Sequence, residues 1–402
     1  MMAVRKGERP DGALPLGRPV LDAGLTTPIL TVDRRALQGN IDAMAAFLAG
    51  LGVGLAPHVK THMSPQVWEM QRRAGAERCT VATVAQALVM AGAGGGRLLI
   101  ASEIVAGDDL DALVARLASD TALDVIVFCD SVDGVRALSD AAARASGEVV
   151  IGAVVDVGAS GWRTGVRTAE AALAVARAVA AAPHLRLEGL AGYEGVLWSL
   201  SADEGRDAAV AAYLDRAIHL LHALQDARLL PGEPLVTFGG SDLYPAVLER
   251  LLPAVRSAGG RLVLRSGCYA FHDHGKYAAA QREIGSAFGA PRFAPAITVW
   301  APVVSAPERG VAVVAAGRRD LGADAGLPVA LHRHRSGRTS PLPSCRTDGL
   351  YDQHLVLGSE ELRVGDLVGL GISHPCTTLD RYRSAWLVDG QEITGRLDLL
   401  FP

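Results

Sequence analysis

From about residue 54 to 267, short Leu-rich or β-branched runs alternate with longer stretches of helical length. Eight runs read as strands: Gly54 to Lys60, Cys79 to Thr83, Arg97 to Ser102, Leu123 to Asp130, Val149 to Val157, Leu185 to Tyr193, Leu235 to Gly239 and Leu262 to Ser266. The run after Asp124, Val-Ile-Val-Phe-Cys129, has no polar face, as expected of parallel strands covered by helices on both sides. Eight such units predict a (β/α)8 TIM barrel, with a doubly wound open sheet as the alternative. Ser64-Pro65 offers an N-cap and an N1 proline to one intervening helix, and Ser131 and Asp133 mark the start of another.

The pattern differs on either side of this region. Pro28 to Asp33 reads as a strand of another sheet, followed by an amphipathic helix from about Arg34 to Leu51. After about Gly267 the period becomes two, as in Ala296 to Ala301, Val311 to Ala315 and Arg363 to Leu370, which predicts a C-terminal all-β domain. His332 to Arg346, rich in Arg, Ser and Pro, reads as an exposed loop over the site, with His332 and His334 solvated. His219 and His222, one turn apart on a long helix, also read as solvated. The expected organisation is an N-terminal segment, 1–27, packing on the β domain, then the barrel over 28–267, then the β domain over 268–402.

Composition narrows the function. A chain of 402 residues, half of them hydrophobic and 20% charged, exceeds one ordinary domain and is not disordered. Lys and Arg total 39 against 43 Asp and Glu, with no basic block, so a nucleic-acid footprint is not expected and a small-molecule ligand is. No window approaches eighteen apolar residues, and the opening segment has charged residues and Pro where an export signal needs an apolar core. Five scattered cysteines without a C-x-x-C pair suit a reducing compartment, and the expectation is the cytoplasm.

In a parallel barrel, reactive groups come from the carboxyl ends of the strands. The first such end is Ala56-Pro57-His58-Val59-Lys60-Thr61-His62, where strand alternation puts His58 and Lys60 on one side, at the barrel mouth. Taken alone, Lys60 fits better a lysine that snorkels from a strand end, and only its context favours a reactive amine. After the seventh strand, Gly239-Gly240-Ser241 offers bare backbone N–H groups and a hydroxyl. After the eighth, Arg265-Ser266-Gly267-Cys268-Tyr269 offers a second glycine turn beside it. A lysine facing two donor loops describes a site for a phosphorylated aldehyde, and pyridoxal 5'-phosphate is the natural candidate. Arg163, on a glycine-flanked loop, and Tyr193, at the end of the sixth strand, can reach its ring. Each also fits an ordinary rim arginine or packed tyrosine. Near the carboxyl end, His374-Pro-Cys376 is either a structural pair or two ligands for a divalent metal. Imidazole with thiolate favours Zn2+ and leaves positions for water and substrate. His272-Asp273-His274 has no role assigned from sequence.

Pro57-His58-Val59-Lys60-Thr61-His62 resembles the lysine motif of the fold-type III pyridoxal-phosphate enzymes, in the branch of D-serine dehydratases and D-threonine aldolases. The resemblance runs nearly end to end, through Asp156-Val-Gly, Arg163-Thr-Gly165, Gly192-Tyr193-Glu194-Gly195, Gly239-Gly240-Ser241, Arg265 to Tyr269 and His374-Pro-Cys376. It implies an alanine-racemase-like barrel with a β domain and a homodimer with its active site near the subunit contact. It also implies Lys60 as the amine that bonds the cofactor. Arg163 would lie near the cofactor's phenolic oxygen, Tyr193 near its pyridine ring, and the Gly239 and Gly267 loops, Cys268 and Tyr269 included, on its phosphate. Dehydratases of this branch carry H-x-C at the metal site and aldolases H-x-D, so the expected substrate is a D-serine-like amino acid converted to a 2-oxo acid and ammonia. Retro-aldol cleavage, a racemase and a non-catalytic cofactor-binding protein are the alternatives. The chain departs from the family pattern in Ser241-Asp-Leu-Tyr244, where the aldolases are Thr-rich, and in Cys268 between Gly267 and Tyr269.

Overall fold

The alternating stretch builds a parallel barrel, and the flanking segments build one large mixed sheet. The computed structural model describes residues 5–402 except 202, 285 and 286; the first four residues of the expected N-terminal segment lie outside the described residues. The chain opens with β1 (Ile29–Asp33) and α1 (Arg34–Gly50). The barrel strands are β2 (Gly54–Leu55), β3 (Cys79–Val81), β4 (Arg97–Ile100), β5 (Asp124–Cys129), β6 (Ile151–Val157), β7 (Leu185–Gly192), β8 (Leu235–Phe238) and β9 (Arg261–Leu264). Between them lie α2 (Pro65–Arg73), α3 (Val84–Gly92), α4 (Gly107–Ser119), α5 (Val132–Ala143), α6 (Ala169–Ala181), α7 (Arg206–Asp226) and α8 (Tyr244–Ser257). Parallel pairing runs in the order β2-β9-β8-β7-β6-β5-β4-β3, and a bridge from His58 to Thr80 joins the two ends.

Alternation within the strands explains their unbroken apolar character. Leu98 and Ile100 of β4, with Val125 and Val127 of β5, face outward into the core shared with the helices. Leu99, Ile126 and Phe128 face inward, where they meet Val154, Ala191, Leu235 and Val263. Both faces are dry at these positions, so the runs alternate between two apolar cores with no polar side. Ser131 accepts from the Gly134 amide at 3.2 Å and caps α5, whereas the Ser64 hydroxyl donates to Gln66 and leaves the start of α2 to Pro65.

After the barrel come α9 (Lys276–Ile284), β10 (Ile297–Glu308), β11 (Val311–Val314), β12 (Val329–Arg335), β13 (Arg338–Pro341), β14 (Arg346–Leu350) and β15 (Leu355–Gly358). The chain ends with β16 (Leu367–Gly371), α10 (Cys376–Leu379), β17 (Ser384–Asp389) and β18 (Glu392–Asp398). The main order is β13-β12-β16-β10-β1-β17-β18, so β1 belongs to this sheet and not to the barrel segment in which the 28–267 boundary placed it. The N-terminal segment lies on the same sheet: Val20 donates to the Gln391 carbonyl at 2.8 Å and the Trp386 indole to that of Gly7 at 2.6 Å.

Three further expectations change. The first barrel strand stops at Leu55, because the His62 and Met63 amides fold back onto the Val59 carbonyl and make Val59–Thr61 a 3-10 turn. Strand alternation therefore does not relate His58 to Lys60. The expected loop over His332 to Arg346 is largely the β12–β13 hairpin, closed at Ser336-Gly337 with φ of 49° and 74°, the backbone that a tight two-residue hairpin turn requires. His334 is buried against the Thr339 hydroxyl, and His332 stacks on Trp300, so neither is freely solvated; His219 and His222 are exposed. The second unit is also not all β, since α9 enters it. Among the described residues no helix is long and apolar enough to cross a membrane.

Candidate active site

A cavity of about 360 Å³ opens at the carboxyl ends of the barrel strands, a volume suited to a small cofactor with an amino acid. The turn after β2 brings His58, Lys60 and Thr61 to its wall, and the loops after β6 and β7 bring Arg163 and Tyr193. Gly239, Gly240 and Ser241 after β8 and Gly267 and Cys268 after β9 also line it, as do His374 and Cys376 from the far sheet. Tyr269 does not: its side chain is buried 5.7 Å from the Phe293 ring, and its hydroxyl accepts from Gln71 at 3.2 Å. The 3-10 turn that starts at Cys268 rotates neighbouring side chains apart, so Cys268 faces the cavity and Tyr269 the core.

The two glycine loops are built differently from the expected phosphate nest. The Gly239 and Gly240 amides are already used, donating at 3.1 and 2.6 Å to the carboxylate of Glu194, which is fully buried after β7. Burial raises the Glu194 pKa, and the two amides work against that rise. Gly267 donates to the Ser241 hydroxyl at 3.2 Å. Among the described residues, the Ser241 and Cys268 amides have no acceptor, which leaves them, with the Ser241 hydroxyl, as the donors for an anion. Close approach accounts for the glycines themselves: a Cβ on Gly240 would sit 2.8 Å from the Tyr193 ring, and one on Gly267 would clash with the His58 carbonyl.

Arg163 lies 5.0 Å from the centre of the Tyr193 ring, and the Tyr193 amide donates to the Tyr213 hydroxyl at 2.9 Å. Arg265, missed from sequence as a site residue, is wholly enclosed. It bonds the Thr237 hydroxyl at 3.0 Å and the Gly192 carbonyl at 2.6 Å, and it packs over Phe128. It ties β9 to β7 and β8 beneath the two loops. Burial, reinforced by Lys60 and Arg265, drives the His58 pKa well down, so the ring is neutral, and its Nδ1 is buried without a partner. An unpaired ring nitrogen and free amides around an accessible amine fit pyridoxal phosphate, with Lys60 to bond its aldehyde.

In the same cavity Cys268, His374 and Cys376 bring their ligating atoms within 4.8 Å of one another, an arrangement that fits a divalent metal. The His374 Nδ1 bonds Asp324 at 2.6 Å, which orients the ring and leaves Nε2 for a ligand. Burial works against His374, but Cys376 and Asp324 raise its pKa to about 9. The Cys376 thiol is held well below its usual range, first by Cys268 and then by His374, against burial. The Cys268 amide stays free for an anion, while its sulfur meets that of Cys376. Lys276, paired with Asp242 at 2.8 Å, and Tyr277 complete the wall. His272-Asp273-His274 holds them there: Asp273 accepts from the Gly275 and Tyr277 amides at 2.9 Å, and His274 donates its amide to Ile372 at 3.0 Å.

Residues 32–249 match the family "Alanine racemase, N-terminal domain", and residues 296–388 match "Putative serine dehydratase domain". The chain belongs to the alanine-racemase-like, fold-type III pyridoxal-phosphate enzymes, in the branch of D-threonine aldolase and D-threo-3-hydroxyaspartate dehydratase. Within that branch it is 30% identical over 313 residues to 3-hydroxy-D-aspartate aldolase of Paracoccus denitrificans strain Pd 1222, covering 78% of this chain and 77% of the relative. It is 29% identical over 252 residues to D-threo-3-hydroxyaspartate dehydratase of Delftia sp. strain HT23, 62% of each chain. A cysteine-to-alanine variant of a D-threo-3-hydroxyaspartate dehydratase, solved in a metal-free form, superposes with a TM-score of 0.72 at 23% identity over 94% of this chain and 98% of the other. D-threonine aldolase from Filomicrobium marinum superposes with a TM-score of 0.79 at 28% identity, over 96% of this chain and 98% of the other. The chain is therefore a pyridoxal-phosphate-dependent lyase of D-β-hydroxy amino acids, from a family with metal-dependent members.

Proposed function

We propose that this lyase is a Zn2+-assisted dehydratase that converts a D-serine-like amino acid to a 2-oxo acid and ammonia. One observation carries the reading: Lys60 and the His374-x-Cys376 pair line the same cavity, so the Cα proton and the β-oxygen of one small substrate can be handled within it by different groups. Lys60 Nζ takes the Cα proton. The neutral His58 ring and the Ser241 and Cys268 amides hold the cofactor, with Arg163 and Tyr193 beside its ring. Bound pyridoxal phosphate supplies the electron sink that makes the Cα proton labile, and a bound metal supplies the Lewis acid for the β-oxygen. Loss of the Cα proton and the β-hydroxide removes one water. The enamine that results takes one water back and releases ammonia and the 2-oxo acid.

Retro-aldol cleavage is the second reading, supported by the aldolases among the relatives. It uses the same groups, but the bond that breaks is Cα–Cβ. Incubation with D-serine and D-threonine separates the two. Pyruvate and ammonia, formed from D-serine in a chelator-sensitive reaction, support the dehydratase; glycine and acetaldehyde from D-threonine support the aldolase in its place. Lys60→Ala is expected to lose both turnover and the visible absorbance of covalently held cofactor, and a variant that keeps that absorbance removes Lys60 from its role. The reading includes a homodimer, which sedimentation measures directly.

A further inference from the structure

The His374-x-Cys376 pair comes from the sheet domain, but the third member of the cluster does not. Cys268 opens the 3-10 turn after the last barrel strand, and its Sγ lies 3.3 Å from that of Cys376. The contact is specific to this pair. Cys79 and Cys129 are enclosed in the apolar core, whereas Cys268 and Cys376 line the cavity and share one further neighbour, the Thr61 hydroxyl, at 3.6 and 3.4 Å. Thr61 follows Lys60 in the chain, so both sulfurs touch the turn that carries the reacting amine.

We propose that Cys268 is a third protein ligand, making the metal centre a Cys2His site built across both domains with a single open position for the β-oxygen of substrate. Two thiolates about 2.3 Å from a tetrahedral Zn2+ stand about 3.8 Å apart, so the present 3.3 Å separation needs to open by only about half an ångström. The imidazole is oriented for the role, since Asp324 holds its Nδ1 and in turn accepts from Thr377. A Cys2His set with one exchangeable position binds an alcohol oxygen directly in other catalytic zinc sites. Two thiolates and a neutral imidazole cancel the dipositive charge of the ion, and they select a soft metal over Mg2+ or Mn2+. One open position, in place of the two that a His-Cys pair leaves, admits the substrate oxygen only by displacing the bound water. The ligand count does not depend on the proposed reaction; only the assignment of the open position to a β-hydroxyl rests on it.

X-ray absorption at the zinc edge of the Zn2+-loaded holoenzyme, without substrate, tests the count. Two sulfur scatterers per zinc are expected in the wild type, and one in Cys268→Ser. A single sulfur in the wild type, or two retained in Cys268→Ser, overturns the proposal, and the wild-type spectrum decides even if the variant fails to fold. Competition with a chromophoric chelator adds a second measure: Cys268→Ser is expected to bind Zn2+ at least tenfold more weakly, and unchanged affinity counts against ligation. A Cys268–Cys376 disulfide in protein purified under reducing conditions also overturns it. Two sulfurs without turnover of any D-β-hydroxy amino acid uphold the site and reject the proposed function alone.

Discussion

Glu103, in the loop after β4, shows how single residues here depend on partners distant in sequence. Its Oε1 is buried without a partner, and burial, then the nearby Asp156, pushes its pKa up to about 8. Burial also lifts Asp156 to about 6, although the Thr164 hydroxyl donates to it at 2.9 Å. The folded chain thus keeps a proton on Glu103 from its ordinary range near 4.5 up to about 8, where the unfolded chain has lost it. More protons on the folded state mean that stability falls as pH rises through that window. Glu103→Gln has no such proton to lose, so it is expected to exceed the wild type by about 1–3 kcal/mol at pH 8 and to match it near pH 5. Thermal melts at the two values check this, and an equal difference at both rejects it. At this scale Lys60, His374 and Cys376 were legible because amine, imidazole and thiol are chemically distinctive at strand ends. Glu194 was not, since nothing in Gly-Tyr-Glu-Gly reveals that its carboxylate meets amides 45 residues further on.

Among the elements, α9 is a helix that sequence reading left out, and it carries part of the cavity wall. It starts where three amides, those of Gly275, Tyr277 and Ala278, converge on the Asp273 carboxylate at 2.9, 2.9 and 3.3 Å. Asp273→Ala leaves those donors without their acceptor and is expected to cost about 1–3 kcal/mol, with Asp273→Asn recovering most of the loss. Thermal melts of both variants check it; equal losses would mean that the charge matters, not the acceptor. The barrel strands were legible because interior and exterior cores both demand apolar residues, which makes runs such as Val125 to Cys129 continuous. Two elements were not. The run from Gly54 continues in sequence to Lys60, but the Met63 amide, donating to the Val59 carbonyl at 2.7 Å, turns it after His58. The Arg- and His-rich β12–β13 hairpin hides its strands because its inward residues, His332 and His334, are polar and are satisfied by Trp300 stacking and the Thr339 hydroxyl.

Across the whole molecule the two domains are interlocked rather than strung in sequence. β1 precedes every barrel strand, yet it lies between β10 and β17 in the middle of the far sheet, so the C-terminal residues alone lack a central strand. The end of the chain returns to the barrel: Leu400 donates to the Met63 carbonyl at 2.9 Å, and Gln66 on α2 donates to Asp398 at 2.9 Å. A metal held by Cys268 together with His374 and Cys376 would add one more tie between these units, next to α9. Such a ligand stabilises the folded state by about 4 kcal/mol when its free concentration is a thousand times its dissociation constant. Removing zinc with a chelator is therefore expected to lower the melting temperature by several degrees, and to do so in one transition, because the ends of the chain tie barrel and sheet together. Cys268→Ser, holding its metal through the sheet domain alone, is expected to lose less on chelation. Calorimetry of the two proteins with and without chelator gives the comparison. If zinc is shown to be gone while the wild-type melting temperature stays unchanged, the metal does not join the domains.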